Sequence, residues 1–316
     1  METMSHAGRA AARRRLRARR RVRAVALLIL AVALGMGAFA VLSPLLAGAE
    51  KASAVPSLVD QPPVAAALPA PRVEQVEASE APCEAPEVVA ALRDSDADAL
   101  VAAFGGGESL RQAVLDGAAP CVRLDDPAMP WVVVNKLRPL DPIDYAPREV
   151  RRPAARVADV GLRADALAAF ERLADAAAEG AGRIALYSGY RSYDTQVSTY
   201  AAQVGARGGG ADALSARPGH SEHQLGLAAD VVACGAWGCG DIYEVGGTAQ
   251  GRWLAENAWR YGWIVRYEAG RSVTTGYDAE PWHLRYVGRG IAEAYQAGGF
   301  HTLEEFFGLP AAPDYD

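Results

Sequence analysis

The feature that most constrains this chain is a run of 19 uncharged residues, Ala24 to Leu42, lying directly behind a cluster of arginines. At 1.5 Å per residue a helix of that length extends about 28 Å, close to the hydrocarbon thickness of a bilayer. A buried core helix is rarely so long and so free of charge beside so dense a basic run. The reading is therefore a basic cytoplasmic arm over 1–23 and a single transmembrane anchor over 24–46. Positive residues stay inside, which places the remainder of the chain outside the cytoplasm. Ala47-Gly48-Ala49 offers a small-x-small cleavage site, so secretion after signal removal is the alternative; a signal core of about 7–15 residues is shorter than this span and favours the uncleaved anchor.

Charge follows the same division. The whole chain carries 32 Lys+Arg against 38 Asp+Glu, but nine of the Arg and only one acid, Glu2, fall in the first 23 residues. From Ala24 onward 23 basic residues face 37 acidic ones, a net charge of −14. A body this acidic argues against nucleic acid as its partner. Residues 47–82, with prolines at 56, 62, 63, 69, 71 and 82, show no periodicity and read as an extended spacer. Residues 83–130 hold two short helical patterns around Phe104-Gly105-Gly106-Gly107, too little for a core of their own, and are expected to dock as a helical hairpin on the larger C-terminal domain. The four cysteines are expected to be disulfide-bonded outside the cytoplasm, with spacing that suits Cys83 with Cys121 and Cys234 with Cys239.

Residues 131–309 suffice for one globular domain. Trp131 to Asn135 reads as a strand, Leu167 to Ala177 as a helix with Gly180 as its C′ residue, and Ile184 to Ser188 as a strand. A helix follows over 194–204, a strand over 227–233, a helix over 248–261, strands over 263–267 and 282–287, and a last helix opening on the capping box of Thr302 and Glu305. Helices and strands mix without a regular βαβ rhythm, which predicts an α+β fold with an antiparallel sheet flanked by helices.

Three of the five histidines lie beside acids in two short segments, Pro218 to Asp230 and Glu280 to His283. His223, Asp230 and His283 make a three-ligand N, O, N set that leaves the fourth position of a tetrahedral Zn2+ free. One carboxylate leaves residual positive charge on the dication, which lowers the pKa of a bound water towards about 7. Glu280 is then the natural general base, provided that Pro281 sits at a strand entrance or bulge, because i and i+3 otherwise face opposite ways. His220 is an alternative ligand to His223, though Pro218-Gly219 puts it at a turn, and His301 reads as structural. Arg191, between a strand and a helix, offers a planar fork for a carboxylate or a developing oxyanion. Ser221 is a candidate for the terminal carboxylate or for support of His223. Tyr190 and Trp282 read as packing.

These residues resemble a family. Ser188-Gly189-Tyr190-Arg191-Ser192, the run Ser221-x-His223-x-x-Gly226-x-Ala228-x-Asp230, and Glu280-Pro281-Trp282-His283-x-Arg285-Tyr286 are similar, in order and interval, to the VanY-like D-alanyl-D-alanine carboxypeptidases of the M15 zinc peptidases. Val134-Asn135-Lys136 with Pro139-Leu140 looks like the start of that domain and Leu303-Glu304-Glu305 like its end, so the resemblance covers about 131 to 307. It implies a hedgehog/DD-peptidase-like fold and a metal at His223, Asp230 and His283. It also implies Glu280 as base, Gln196 in contact with substrate, and hydrolysis of the terminal D-Ala from peptidoglycan stem peptides. L,D-carboxypeptidase or endopeptidase action on the same peptides is the nearest alternative, since the motifs do not define the pocket walls. A wall-binding module without turnover is a third, and the presence of Glu280 speaks against it.

Overall fold

The computed structural model describes residues 82–316. The expected arm, the anchor over 24–46 and the spacer up to 81 lie outside the described residues. Among the described residues no helix is long and apolar enough to cross a membrane.

The described residues open with three short helices, α1 (Pro86–Asp94), α2 (Ala97–Ala103) and α3 (Gly107–Leu115). The sequence pattern suggests only two; Ser95 in the left-handed region ends α1, and Asp96 at once caps α2 by accepting a hydrogen bond from the Ala99 amide. After a long irregular stretch come the paired strands β1 (Val150–Arg151) and β2 (Leu162–Arg163), then helix α4 (Ala164–Gly180), strand β3 (Ile184–Ser188) and helix α5 (Tyr193–Arg207). Strands β4 (Ala228–Gly235) and β5 (Gly238–Cys239), helix α6 (Ala249–Asn257), strand β6 (Trp263–Tyr267) and the one-turn α7 (Ser272–Thr275) follow. Strand β7 (Glu280–Tyr286) and helices α8 (Arg289–Ala297) and α9 (Leu303–Phe306) complete the fold. The main sheet is antiparallel, in the order β3-β4-β7-β6, with β5 added to β4. The α+β architecture with an antiparallel sheet is thus present.

Period-2 alternation gives the sheet two unlike faces. Leu186, Ala229, Val231, Leu284, Tyr286 and Trp263 turn towards α4, where they meet Phe170, Leu173 and Ala177 in the main core. Gly180, in the last turn of α4 and not beyond it as expected, is needed because a Cβ there would run into the Trp253 indole. The intervening residues of the strands, among them Asp230, His283, Arg285 and Arg266, face the other way and are buried too. A second core joins α1, α2 and α3 to α8 and α9 through Leu100, Leu110, Ile291, Tyr295 and Phe306.

Trp131 to Val134 is not a strand. The segment is extended and fully buried, but the Val132 carbonyl is taken by the Arg285 guanidinium at 2.7 Å and the Pro130 carbonyl by the same group at 3.0 Å. Arg138 takes the Val133 carbonyl at 3.2 Å, and the Val133 and Val132 N–H groups donate to the Leu124 and Met129 carbonyls at 2.8 and 3.3 Å, so a β-branched run is buried without a ladder partner.

Disulfides join Cys83 to Cys121 and Cys234 to Cys239. The first closes a loop with a sequence separation of 38 around α1, α2 and α3. Replacing both of its cysteines by Ser should cost about 2–4 kcal/mol through the freed unfolded chain, read as a lower midpoint in denaturant titration; an unchanged midpoint would show that the second core holds these helices alone.

Candidate active site

Each member of the expected cluster is placed by a different piece of backbone. Asp230 and His283 are directly opposed on β4 and β7, on the face turned away from α4. His223 lies on a 3₁₀ turn, Glu222–Leu225, which Gly226 ends at φ 70°, a left-handed conformation that lets the chain reverse into β4. Glu280 reaches the same point because β7 runs from Leu284 back to Glu280 while β6 advances only from Val265 to Tyr267. The surplus residues bulge between Glu280 and Leu284, the stretch that holds Pro281, and the Glu280 carboxylate lies 3.7 Å from His283 Nδ1.

The donor atoms of His223, Asp230 and His283 all lie within 4.8 Å of one another. His223 Nδ1 donates to the Gly189 carbonyl at 2.7 Å, which leaves Nε2 to face Asp230 at 3.2 Å. His283 Nε2 donates to the Glu222 carboxylate at 3.2 Å, so Nδ1 is the nitrogen turned to Asp230, at 3.0 Å. Two imidazole nitrogens, each oriented through the ring's other nitrogen, and a carboxylate between them are the donor chemistry of a zinc site, and the residues fit the ion.

Arg191, Gln196 and Ser221 line the same cavity as the cluster, a cleft of about 420 Å³. The backbone N–H of Arg191 donates to the His223 carbonyl at 3.1 Å, while its buried Nε has no partner. Gln196 donates through Nε2 to the Ala216 carbonyl at 2.6 Å, and its Oε1 is likewise unpartnered. Ser221 is buried at the head of the 3₁₀ turn. His220 is turned away, with Nδ1 on the Asn135 carbonyl and its ring edge-on to Tyr315. His301 pairs with Glu268 at 2.8 Å, and Tyr190 borders a separate groove beside Pro142. Trp282 lines the cleft and meets Tyr243 edge to face.

The electrostatics are those of a buried charged cluster. Burial alone would raise Asp230, but the two histidines hold it well below the usual carboxylate range. Burial lowers His223 more than Asp230 raises it. His283 goes the other way: hydrogen bonds to Asp230 and Glu222 overcome burial and lift it to about 10. Burial pushes Glu280 up to about 7, against the pull of the His283 charge and with the push of Asp230.

The metal-free protein therefore holds His283 as a cation at neutral pH. Its stabilising pairs are fully present below about pH 6.5, the ordinary histidine value, and are lost as pH rises through about 10. Chelator-treated protein should lose unfolding free energy over that window. Zinc uptake near pH 7.5 should release a proton, measured by calorimetry in buffers of different ionisation enthalpy. No proton release would mean that His283 is already neutral.

Sequence reasoning missed Glu222, which occupies the unspecified position of the Ser221-x-His223 run. Its carboxylate accepts from Arg266 Nε at 2.8 Å and Arg285 Nη1 at 2.7 Å as well as from His283. Arg266 also forks onto Glu304 at 2.7 and 2.9 Å, and Glu304 accepts from Asn135 at 2.9 Å. Burial would raise Glu222, but the Arg285 and Arg266 charges hold it far below the carboxylate range. The available signal was an arginine inside each of two apolar strands, which calls for a buried acid.

A family profile described as VanY, D-alanyl-D-alanine carboxypeptidase, matches residues 159–289. The YodJ protein of Bacillus subtilis (strain 168) is 40% identical over 148 residues, covering 46% of this chain and 53% of that protein. A D-alanyl-D-alanine carboxypeptidase of Enterococcus faecium is 37% identical over 136 residues, covering 43% of this chain and 40% of the relative. Matches thus span about half or less of those proteins' own length. A solved structure of the LdcB LD-carboxypeptidase, which concerns peptidoglycan recognition, superposes with a TM-score of 0.50 at 36% identity, over 57% of this chain and 86% of that one. The bifunctional D-Ala-D-Ala dipeptidase and carboxypeptidase VanXYC of Enterococcus gallinarum is 31% identical over 177 residues, covering 55% of this chain. Since that identity extends over 91% of VanXYC, and the profile match takes in Arg191, His223, Asp230, Glu280 and His283, this chain belongs to the VanY-like family of D-alanyl-D-alanine carboxypeptidases.

Proposed function

We propose that this chain is a zinc-dependent D-alanyl-D-alanine carboxypeptidase that removes the terminal D-Ala of peptidoglycan stem peptides, working outside the cytoplasm from an N-terminal membrane anchor. The observation that supports this best is a single cleft holding a buried N, O, N donor set, a carboxylate lifted to about 7 and an unpartnered guanidinium nitrogen. His223, Asp230 and His283 would hold the zinc, which when bound would supply Lewis-acid polarisation of the scissile carbonyl.

The chain's own residues do the rest. Glu280 takes a proton from the attacking water and returns it to the leaving amine. Arg191 receives the substrate's C-terminal carboxylate on a planar fork whose Nε has no competing partner. Ser221 donates its hydroxyl to the same carboxylate. Gln196 Oε1 accepts an N–H of the peptide, which satisfies an otherwise orphaned acceptor.

The likeness to LdcB, an LD-carboxypeptidase, favours a second reading, removal of D-Ala from a tetrapeptide. One experiment separates the two. The zinc-loaded full chain is incubated with stem pentapeptide and stem tetrapeptide, and products are weighed by mass spectrometry. Loss of one D-Ala from the pentapeptide is expected; release from the tetrapeptide alone would overturn the D,D assignment.

A further inference from the structure

Helix α5 buries its polar side. Of its 15 residues the one buried side chain is Gln196. Val197 and Val204 face water, each 42% exposed. Gln196, Thr199, Gln203 and Arg207 line the catalytic cleft instead. Steps of three and four residues put them on one stripe of the helix. Because α5 starts just after Arg191, this row of amide, hydroxyl and guanidinium groups runs along the cleft wall away from the metal-ligand set. A surface helix ordinarily turns its apolar side inward; this one offers hydrogen-bonding groups to the space a substrate occupies.

Arg207 ends the stripe. It and Arg191 are the two arginines of the lining, and among the described residues neither makes an ion pair. Arg207 Nε donates to Gln203 Oε1 at 3.0 Å, which draws the guanidinium back over the preceding turn and leaves both Nη groups without a protein partner among the described residues. Gln196 and Gln203 are seven residues apart, about 10 Å along the helix. An extended peptide advances about 3.3–3.6 Å per residue. A peptide whose C-terminus lies against Arg191 and Gln196 therefore brings a residue about three positions upstream to Arg207. Asp241, the one acidic lining residue away from the metal end, has Oδ1 committed to the Tyr243 N–H at 2.9 Å.

A guanidinium with both Nη groups uncommitted is a fork for a carboxylate. We propose that Arg207, braced by Gln203, binds a carboxylate that the substrate carries about three residues upstream of the scissile bond, and so selects acidic stem peptides. The inference rests on the proposed action on peptidoglycan stem peptides. At that place such a peptide has a γ-linked glutamate, whose α-carboxylate is free unless amidated. Where the neighbouring residue is diaminopimelate, its side chain brings a second carboxylate of the same chemistry. Arg191 holds the terminal carboxylate and Arg207 the internal one, which fixes the peptide at two points along the cleft.

Three pentapeptides test this on the zinc-loaded full chain: one with free glutamate and Lys at the third position, its glutamate amide, and that amide with diaminopimelate in place of Lys. In the wild type, kcat/KM for the free-glutamate peptide should exceed that for its amide roughly tenfold. Arg207→Gln should bring the ratio to about one, Arg207→Lys should keep part of it, and added salt should shrink it. An Arg207-dependent gain for the diaminopimelate amide over the Lys amide also supports the subsite and identifies the diamino acid as the source of the carboxylate. Ratios near one for both carboxylates, or a preference that survives Arg207→Gln, would overturn the subsite and leave the hydrolase reading in place. Calorimetric titration of the same peptides into zinc-loaded Glu280→Gln, with and without Arg207→Gln, carries the comparison without turnover. If the wild type cleaves no peptide while the Arg207-dependent difference in Kd persists, the hydrolase reading falls and the subsite stands.

Discussion

Replacing Glu280 with Gln should lower kcat/KM on the pentapeptide by about 10²–10⁴ while leaving bound zinc and the unfolding midpoint unchanged. Gln keeps the shape and the hydrogen-bonding capacity of the side chain but cannot accept a proton. The expected metal set is His223, Asp230 and His283, so the ion should stay. A pH profile adds a check that a structural role would not move. Burial lifts Glu280 to about 7 in the metal-free protein, and a dication in the neighbouring site favours the carboxylate. Activity of the zinc-loaded wild type should therefore rise with pH along an acid limb below 7, and the residual activity of Glu280→Gln should lack that limb. Unchanged hydrolysis with zinc still bound would remove Glu280 from the mechanism, and zinc binding with no wild-type turnover would favour the wall-binding module.

The second large effect is expected at Glu222, a positioning residue for His283. Its carboxylate lies between two buried guanidiniums and the far nitrogen of His283. Glu222→Gln keeps an amide oxygen that can still accept from Arg266 and Arg285, but it removes the charge that pairs with the two guanidiniums and turns an amide NH2 towards His283 Nε2 in place of an acceptor. Breaking a buried ion pair from one side costs about 3–5 kcal/mol, and loss of the outer partner of a ligating histidine weakens metal by about 10–100-fold. Urea unfolding with zinc present and chelator competition measure the two separately. Glu222→Asp, which keeps the charge, should recover part of both. Lowered stability with unaltered zinc affinity would show that Glu222 serves the arginines and not the ligand.

How much of the molecule is legible in its sequence depends on the range of the interaction. The strand over 263–267 and the one over 184–188 were visible because their side-chain pattern is local, and both appear with those bounds. His223, Asp230, Glu280 and His283 were visible because their spacing is a chemical requirement, and the fold brings all four together. Glu222 was not, since its partners lie 44, 61 and 63 residues away and nothing local marks it. The Trp131 to Val134 segment has strand composition, yet whether a buried extended run finds a ladder or a guanidinium is decided by tertiary structure. Helix α8 went unread for a local reason: Gly288 precedes it without a side-chain cap, and its apolar positions Ile291, Ala292 and Tyr295 lack the usual flag at the start.

The two unlike faces of the sheet have a consequence for strand pairing itself. A slip of one residue in β4 would turn Asp230 into the layer of Leu173 and Phe170 and set Val231 among the histidines. Strands with apolar residues on both faces tolerate such a slip cheaply; here it would strand a carboxylate in a greasy layer and leave His223 and His283 without the acid between them. The ion-binding chemistry thus acts as a proofreader of assembly, rejecting misaligned sheets before the protein ever meets a substrate.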